Sequence, residues 1–341
     1  MVHGFASRLA AIDQEIRAVL AVSEHSLQPF YGMMLYHLGL DTGAATGKRL
    51  RPLLLSLVFE ALGGDPPRSL PAAAAVELLH NFTLIHDDIE DQDPTRRHRP
   101  TVWSVWGIPQ AINAGDGMFA ASRLAAQRLR TLGFAAERIL DFAQLLDAAC
   151  VQVCEGQFLD IAFETRTDVT VERYRAMVAR KTGALIAASA EAGAALATDD
   201  PGIRTGLARF GADFGQAFQA HDDLLGIWAT TEATGKVELN DLVKKKKTLP
   251  VVLAFAKASP KLRVTLEALF EPPAPLPASN VDRIREILDA LEIRTLIEAE
   301  IAEHRDRALA MLAGAGISGS RPPGALLESL VRSTTGGGVD T

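Results

Sequence analysis

The sequence predicts an all-α protein. Hydrophobic residues make up 48% of its 341 residues but aromatic residues only 6%. Alanine and leucine dominate, and this composition favours amphipathic helices over sheets. Helical patterns run almost continuously along the chain. A chain of this length can bury a large core as one big helical domain or as two smaller ones, and length alone does not decide between them.

Turn-forming residues divide this pattern into helices joined by short loops. The breaks fall at 63–69 (GGDPPRS), 199–202 (DDPG) and 271–280 (EPPAPLPASN). Pro71 suits the first turn of a helix, and helix-forming residues continue through Asp91. Pro94 prevents further extension, so we expect this helix to end in an acidic cluster.

Two segments lack a helical pattern. Residues 229–250 are polar and weakly periodic, which predicts a loop or a mobile flap. Their lysine run, 244–247, could be a nuclear-localisation patch, a solvated run or a phosphate clamp. The glycine-rich end, 333–341, predicts a disordered tail.

Charge and cysteine usage exclude several classes of protein. A net charge of −7 argues against a general binder of nucleic acid or of anionic membranes. Asp13 and Glu15 interrupt the apolar core that a signal peptide needs, and no apolar run is long enough to span a bilayer, so we expect a cytoplasmic protein. Cys150 and Cys154 lack further ligands for zinc, and we interpret both as buried thiols.

Two acidic clusters share a His-Asp-Asp core. In LIHDDIEDQDPTRRHRPT (84–101), Asp87 and Asp91 lie one helical turn apart and Asp88 flanks them. QAHDDLLG (219–226) repeats the core with Asp222 and Asp223. A single charged cluster is as typical of a solvated helix end as of a binding site. Two copies of the same core indicate a shared site. Carboxylates facing each other across a bundle could hold several Mg²⁺ ions with a diphosphate between them.

Basic residues surround these clusters in the sequence. A diphosphate held by Mg²⁺ still offers oxygens that arginine grips bidentately and lysine meets as a point charge. The candidates are Lys48, Arg49, Arg51, Arg96, Arg97, Lys181, Lys236 and the lysine run. One diphosphate hardly needs so many cations, which indicates two phosphorylated substrates in one cavity.

The ordered motifs resemble the trans-isoprenyl diphosphate synthases of the polyprenyl synthetase family. They run from GKRLRP through VELLHNFTLIHDDIED, TRRHRP, EGQFLD, RKTG and FQAHDD to KKKKTLP, and so cover nearly the whole chain. The resemblance implies one domain, 1–332, with an isoprenoid-synthase-type bundle of helices around a deep central apolar cavity. It also implies a homodimer that joins isopentenyl diphosphate to an allylic diphosphate with Mg²⁺.

The resemblance also assigns roles to individual residues. Metal ligands would be Asp87, Asp88, Asp91, Asp222 and Asp223. The allylic diphosphate would be held by Arg96, Lys181, Gln219, Lys236 and Lys246. The isopentenyl diphosphate pocket would contain Lys48, Arg51, His80 and Arg97. Gln157 would line the cavity or pack in the core.

Two positions depart from the family pattern. Gly226 stands where the second motif usually carries a third aspartate, so we expect weaker or altered Mg²⁺ binding there. His98 replaces a more usual glycine after the arginine pair, and the sequence offers no physical reason for it.

Phe82 and Thr83 resemble the two positions that set product length in this family. An aromatic residue beside a small one is similar to the geranylgeranyl-forming members, with farnesyl diphosphate as the alternative product. On a helical wheel, however, Thr83 lies directly below Asp87 and Phe82 points to the side.

Three rival functions remain at this point. A terpene cyclase on the same fold would not need Lys48, Arg51 and His80 as a set. A metal phosphohydrolase would use the His-Asp pairs at 86–87 and 221–222. A non-catalytic subunit would retain the fold, and Gly226 is compatible with it.

Overall fold

Helices form nearly all regular structure in residues 2–41, 47–229 and 239–336, which the computed structural model describes. In chain order they are α1 (Val2–Val19), α2 (Gln28–His37), α3 (Leu50–Ala61), α4 (Leu70–Glu90), α5 (Val102–Trp106), α6 (Ile108–Gln127), α7 (Ala136–Glu164), α8 (Val171–Val178), α9 (Ala184–Ala197), α10 (Pro201–Trp228), α11 (Asn240–Val243), α12 (Leu249–Lys257), α13 (Pro260–Phe270), α14 (Ala278–Ala290), α15 (Ile293–Gly314) and α16 (Pro322–Thr334). Short 3₁₀ turns lie at 25–27, 66–69 and 128–132, and a π-helical turn at 179–183. The prediction of an all-α fold is confirmed. No described helix has both the length and the apolar character needed to cross a membrane.

The chain divides into two units, and the first contains the described residues of 1–150, 185–208 and 312–330. Its α4 packs against α1, α3 and α6. Four consecutive alanines, 72–75, are fully buried on α4, and such small side chains let neighbouring helices approach closely. The helix begins at Leu70 with Pro71 in its first turn and ends at Glu90, one residue before the predicted Asp91.

A short hairpin follows α4. Strands β1 (Thr95–Arg96) and β2 (Arg99–Pro100) pair antiparallel, and they are the only strands among the described residues. The two turn residues are left-handed, with φ of 50° at Arg97 and 61° at His98. A two-residue hairpin turn of the mirror-image type requires positive φ at both positions. This backbone explains why glycine suits position 98, and His98 adopts the same conformation.

The second unit contains the described residues of 151–184, 209–311 and 331–341. Its core includes Leu242, Ile284 and Ile297, all fully buried, from α11, α14 and α15. Hydrogen bonds from side chains help to begin its helices, because the first backbone N–H groups of a helix lack internal partners. Thr170 accepts from the backbone N–H of Arg173 at the start of α8.

Three predictions about local structure need correction. Within 229–250, the described part is partly helical, because it contains α11 and the start of α12, whereas 230–238 lie outside the described residues. The predicted tail starts too early: α16 continues through Thr334, and Thr335 is buried, while 337–341 lie outside the described residues. Cys150 is buried as predicted, but Cys154 is exposed.

Candidate active site

The first acidic motif ends α4 in the first unit. Asp87 and Asp88 are bridged by Arg96 of the hairpin, whose Nη2 lies 3.2 Å from Asp87 Oδ2 and whose Nε lies 2.7 Å from Asp88 Oδ1. The backbone N–H of Asp91 donates to the carbonyl of Asp87 at 2.8 Å and continues the helical pattern. The hairpin thus brings together a cation and the carboxylates predicted to lie near it.

Asp88 has the surroundings of a cation ligand. Only 1% of it is exposed, and its Oδ2 is buried without a hydrogen-bond partner among the described residues. Burial raises the pKa of Asp88 to about 6, although Arg96 acts in the opposite direction. An orphaned carboxylate oxygen of this kind fits a divalent cation that prefers oxygen ligands.

The described residues hold no ready-made group of three or more His, Cys, Asp or Glu side chains that could bind a metal ion. Mg²⁺ in proteins is commonly bound through one or two carboxylates, with water and substrate phosphates completing its coordination. Asp87 and Asp88, joined by Arg96, bring two carboxylates together at the end of α4.

A separate cationic group lies in the first unit. Arg51 Nη1 lies 3.1 Å from His80 Nε2. Burial, followed by the charge of Arg51, lowers the pKa of His80 well below its usual value, so the neutral imidazole accepts from the guanidinium. Burial also lowers the pKa of Arg51 to about 10, and its Nε is buried without a hydrogen-bond partner in the described part of the chain.

Arg97 lies against the GKRLRP motif. A Cβ at Gly47 would lie 2.5 Å from Arg97 Nη2, so only glycine admits the guanidinium there. Arg97 Nη1 is also buried without a described hydrogen-bond partner, and burial lowers the pKa of this side chain. Lys48, beside Gly47, is exposed. Arg49 is not available for substrate, because it forms salt bridges with Glu77 at 2.9 Å and with Asp13 at 3.0 Å.

The two candidate chain-length residues face different neighbours. The ring of Phe82 packs edge to face on Phe119 of α6, with centroids 5.2 Å apart, and on His86 at 5.7 Å. Thr83 is half-buried and donates its hydroxyl to the carbonyl of His80 at 2.7 Å. Nε2 of His86 lies 3.4 Å from the carbonyl oxygen of Ile112 and 3.7 Å from Oδ1 of Asp116.

The carboxylate of Asp223 in the second motif is held by hydrogen bonds within the second unit. Its Oδ1 accepts from Gln219 Nε2 at 2.8 Å, and its Oδ2 accepts from Tyr174 Oη and from the backbone N–H of Leu249. Three protein donors occupy the carboxylate, only 4% of the residue is exposed, and burial raises its pKa to about 7. Gln219 also accepts from Thr182 at 2.8 Å, so both ends of its amide are occupied within the second unit.

Lys181 lies in the π-helical turn that carries the RKTG motif. Its Nζ lies 2.5 Å from Asp160 Oδ2 of α7. A Cβ at Gly156 would lie 2.2 Å from the backbone nitrogen of Lys181, so this glycine of EGQFLD permits close packing of the turn on α7. π-helical turns occur frequently at functional sites.

Two lysines of the lysine run donate to backbone carbonyl groups. Lys245 Nζ donates to the carbonyl of Pro272, and Lys247 Nζ to that of Glu164. Lys247 also lies 5.2 Å above the ring of Phe270, and burial lowers its pKa to about 8. Lys244 and Lys246 are half-buried. Lys236 lies outside the described residues.

Sequence reasoning missed two polar partners in the second unit. Asp160, which pairs with Lys181, ends the EGQFLD motif, so its position did carry a signal. Tyr174, which donates to Asp223, follows no recognisable pattern. Its role depends on how α8 packs, which the sequence does not reveal.

The chain is similar to several known proteins. The family model described as Polyprenyl synthetase matches residues 34–291. Geranylgeranyl diphosphate synthase of Mycobacterium tuberculosis is 42% identical over 267 residues, which cover 76% of this chain and 75% of that protein. (2E,6E)-farnesyl diphosphate synthase of Mycobacterium bovis is 40% identical over 274 residues, covering 80% and 75%. The crystal structure of geranylgeranyl pyrophosphate synthetase from Pyrococcus horikoshii has a TM-score of 0.87 and 31% identity, with 98% of each chain covered.

Proposed function

Because this chain belongs to the polyprenyl synthetase family and is a short-chain isoprenyl diphosphate synthase, we propose that its main product is geranylgeranyl diphosphate, made from isopentenyl diphosphate and an allylic diphosphate with Mg²⁺. One observation carries the assignment of two substrate sites. Arg51 and Arg97 each keep a buried guanidinium nitrogen without a hydrogen-bond partner in the described residues. The aspartates at the end of α4 are instead bound by a different arginine, Arg96. Buried donors of this kind are stabilised by an anion.

The proposed division of labour follows the charges. Lys48, Arg51, His80 and Arg97 bind isopentenyl diphosphate. Arg96, Lys181, Lys236 and Lys246 bind the allylic diphosphate. Asp87, Asp88, Asp91 and Asp222 hold Mg²⁺, whereas Asp223 and Gln219 support the second motif through their mutual hydrogen bond. When bound, Mg²⁺ neutralises negative charge that develops on the departing diphosphate.

The residues of this chain would then guide the reaction by position and charge. Arg96 grips the diphosphate as it leaves the allylic carbon, which favours ionisation. The cationic group around Arg51 holds the isopentenyl double bond where it can attack, and the new carbon–carbon bond forms before a proton is lost. We assign this proton to the departing diphosphate, which carries negative charge close to the new bond.

A homodimer is the proposed assembly. On α7, Val151, Cys154, Phe158 and Ile161 are spaced by three or four residues, so they share one face. All four are exposed, Val151 by 59% and Phe158 by 71%. An exposed apolar stripe on a helix is typical of a surface that another chain covers. Size-exclusion chromatography with light scattering tests this proposal by measuring the mass of the assembly, which should be twice that of one chain.

The decisive experiment supplies the purified protein with isopentenyl diphosphate, Mg²⁺ and dimethylallyl, geranyl or farnesyl diphosphate in turn. We expect geranylgeranyl diphosphate as the main product. Farnesyl diphosphate as the main product would favour the activity named for the Mycobacterium bovis relative. A cyclic hydrocarbon made without isopentenyl diphosphate, or no product at all, would contradict the proposal.

A further inference from the structure

Arg123 of α6 carries a buried charge that the proposed function does not use. Its Nη1 is buried without a hydrogen-bond partner among the residues that the structure describes, and its Nη2 forms an ion pair with Asp147 of α7. Both residues belong to the first unit. Burying a guanidinium is costly unless its donors find acceptors, so an apolar side chain of similar size would often stabilise the fold as well or better. This cost indicates a role beyond packing.

The guanidinium of Arg123 stacks on the aromatic pair between α4 and α6. Its Cζ lies 4.7 Å from the centroid of the Phe119 ring, and that ring packs on Phe82 with the centroids 5.2 Å apart. An arginine above an aromatic face is attracted by the ring. Asp147, Arg123, Phe119 and Phe82 therefore form a continuous row of contacts from α7 through α6 to α4.

Arg123 lies beyond the aromatic pair as seen from the acidic end of α4. The two helices run antiparallel, because Gly115 lies against His86, with its added Cβ 2.3 Å from Nε2, whereas Phe119 lies against Phe82. Arg123 follows Phe119 by four residues, which is about 6 Å farther along the helix. A product anchored by its diphosphate at the acidic motif, with its apolar end along α4, would meet the aromatic pair first and Arg123 next.

We infer that Arg123, held by Asp147, sets the upper limit of product length behind the aromatic pair. The inference rests on the proposed function, because it needs a prenyl chain that grows along α4. To pass this point, the chain would have to displace the guanidinium from Asp147 and from the ring of Phe119, or leave the charge surrounded by hydrocarbon. Phe82 and Phe119 limit product length by their size, whereas Arg123 limits it by its charge.

Variants in the Phe82→Ala background test this inference, because truncation at Phe82 gives the chain access to Arg123. The purified enzymes receive farnesyl diphosphate, Mg²⁺ and an excess of isopentenyl diphosphate, and chromatography of the dephosphorylated products measures chain length. Adding Arg123→Met removes the charge but keeps a side chain of similar length, so we expect the main product to lengthen by at least one further isoprene unit. Adding Arg123→Lys keeps the charge and should leave the product as in Phe82→Ala alone.

The controls separate charge from space. Arg130→Met in the same background removes an exposed arginine from the turn after α6 and should not change product length. Thermal unfolding identifies any variant that does not fold, and Arg123→Gln carries the test if Arg123→Met is one of them. Equal product lengths with and without Arg123→Met in the Phe82→Ala background would overturn the inference. Equal lengthening by Arg123→Met and Arg123→Lys would also overturn it, because space and not charge would then set the limit.

The wild-type enzyme distinguishes failure of the inference from failure of the proposed function. If the wild type forms geranylgeranyl diphosphate but removal of the charge has no effect in the Phe82→Ala background, only the inference is overturned. If the wild type forms no prenyl diphosphate longer than its allylic substrate, the proposed function is overturned as well.

Discussion

The Nε of Arg96 donates a 2.7 Å hydrogen bond to Oδ1 of the buried Asp88. The same carboxylate keeps its second oxygen without a described hydrogen-bond partner. One oxygen is therefore oriented by Arg96, while the other has no described protein donor. In the proposed function, this carboxylate would link the cation to an arginine that binds diphosphate.

Replacing Asp88 with asparagine should lower turnover by roughly two orders of magnitude or more, because the variant loses charge that stabilises the departing diphosphate. The fold should survive, since the neutral amide is cheaper to bury than a carboxylate whose pKa is already raised to about 6. Steady-state kinetics with isopentenyl and farnesyl diphosphates measure the effect. Asp65→Asn, at an exposed acid, is the matched control, and a folded Asp88→Asn enzyme with normal turnover would disprove the metal assignment.

Asp223 should make stability depend on pH. Burial raises its pKa from 3.8 in the unfolded chain to about 7 in the folded protein. Its contribution to the free energy of unfolding is therefore complete below its unfolded pKa and is lost as the pH rises through about 7. The loss is at most of the order of 4 kcal/mol. Urea unfolding at several pH values should show this decline in the wild type and not in Asp223→Asn; parallel profiles would refute it.

The exposed Lys48 should serve isopentenyl diphosphate more than the allylic substrate. We expect Lys48→Ala to raise the apparent KM for isopentenyl diphosphate about tenfold or more, since a charge-assisted contact contributes roughly 1.5 to 3 kcal/mol. Arg51→Ala should have the larger effect, because it also removes the partner of His80. Lys261→Ala, on the surface of α13, controls for loss of charge. Equal increases for both substrates would show that the cations are wrongly divided.

Product length should respond to the aromatic pair between α4 and α6. Phe82→Ala should yield longer products, because truncation opens space for the apolar end of the growing chain. Phe119→Ala should act in the same direction, since its ring packs on Phe82 at 5.2 Å. Thr83→Phe should shorten the product by filling the nearer turn. Chromatography of the dephosphorylated products measures chain length.

The outcomes for product length distinguish two geometries. If only Thr83→Phe changes the product, the helical wheel identifies the limiting face and Phe82 is ordinary core. If none of the three variants changes it, the chain end meets a different helix.

Features that depend on local sequence were predictable. The helix that ends in Asp87 and Asp88 follows from Pro71 at its start and Pro94 beyond its end, and α4 has nearly those bounds. The all-α class likewise follows from composition and periodicity. Helix propensity and proline geometry act within a few residues, so the sequence contains them directly.

Features that depend on distant partners were not predictable. The pattern of acids makes Asp223 equivalent to Asp222, but Tyr174 and Leu249, from other helices, supply donors to its carboxylate. The exposure of Cys154 likewise depends on which face of α7 packs inward. A one-dimensional pattern does not record which donors meet which acceptors after packing.

The mirror-image turn at Arg97 and His98 has a consequence for how the enzyme could evolve. Arg96 reaches the acids of α4, whereas Arg97, the next residue, lies against Gly47. Two adjacent cations are thereby delivered to two different groups by backbone conformation alone. Insertion or deletion of a single uncharged residue before Arg96 would shift the register of the hairpin by one and turn its side chains to the opposite faces, while leaving the net charge of the protein unchanged. The order of residues in the hairpin should therefore be under stronger constraint than the number of its arginines.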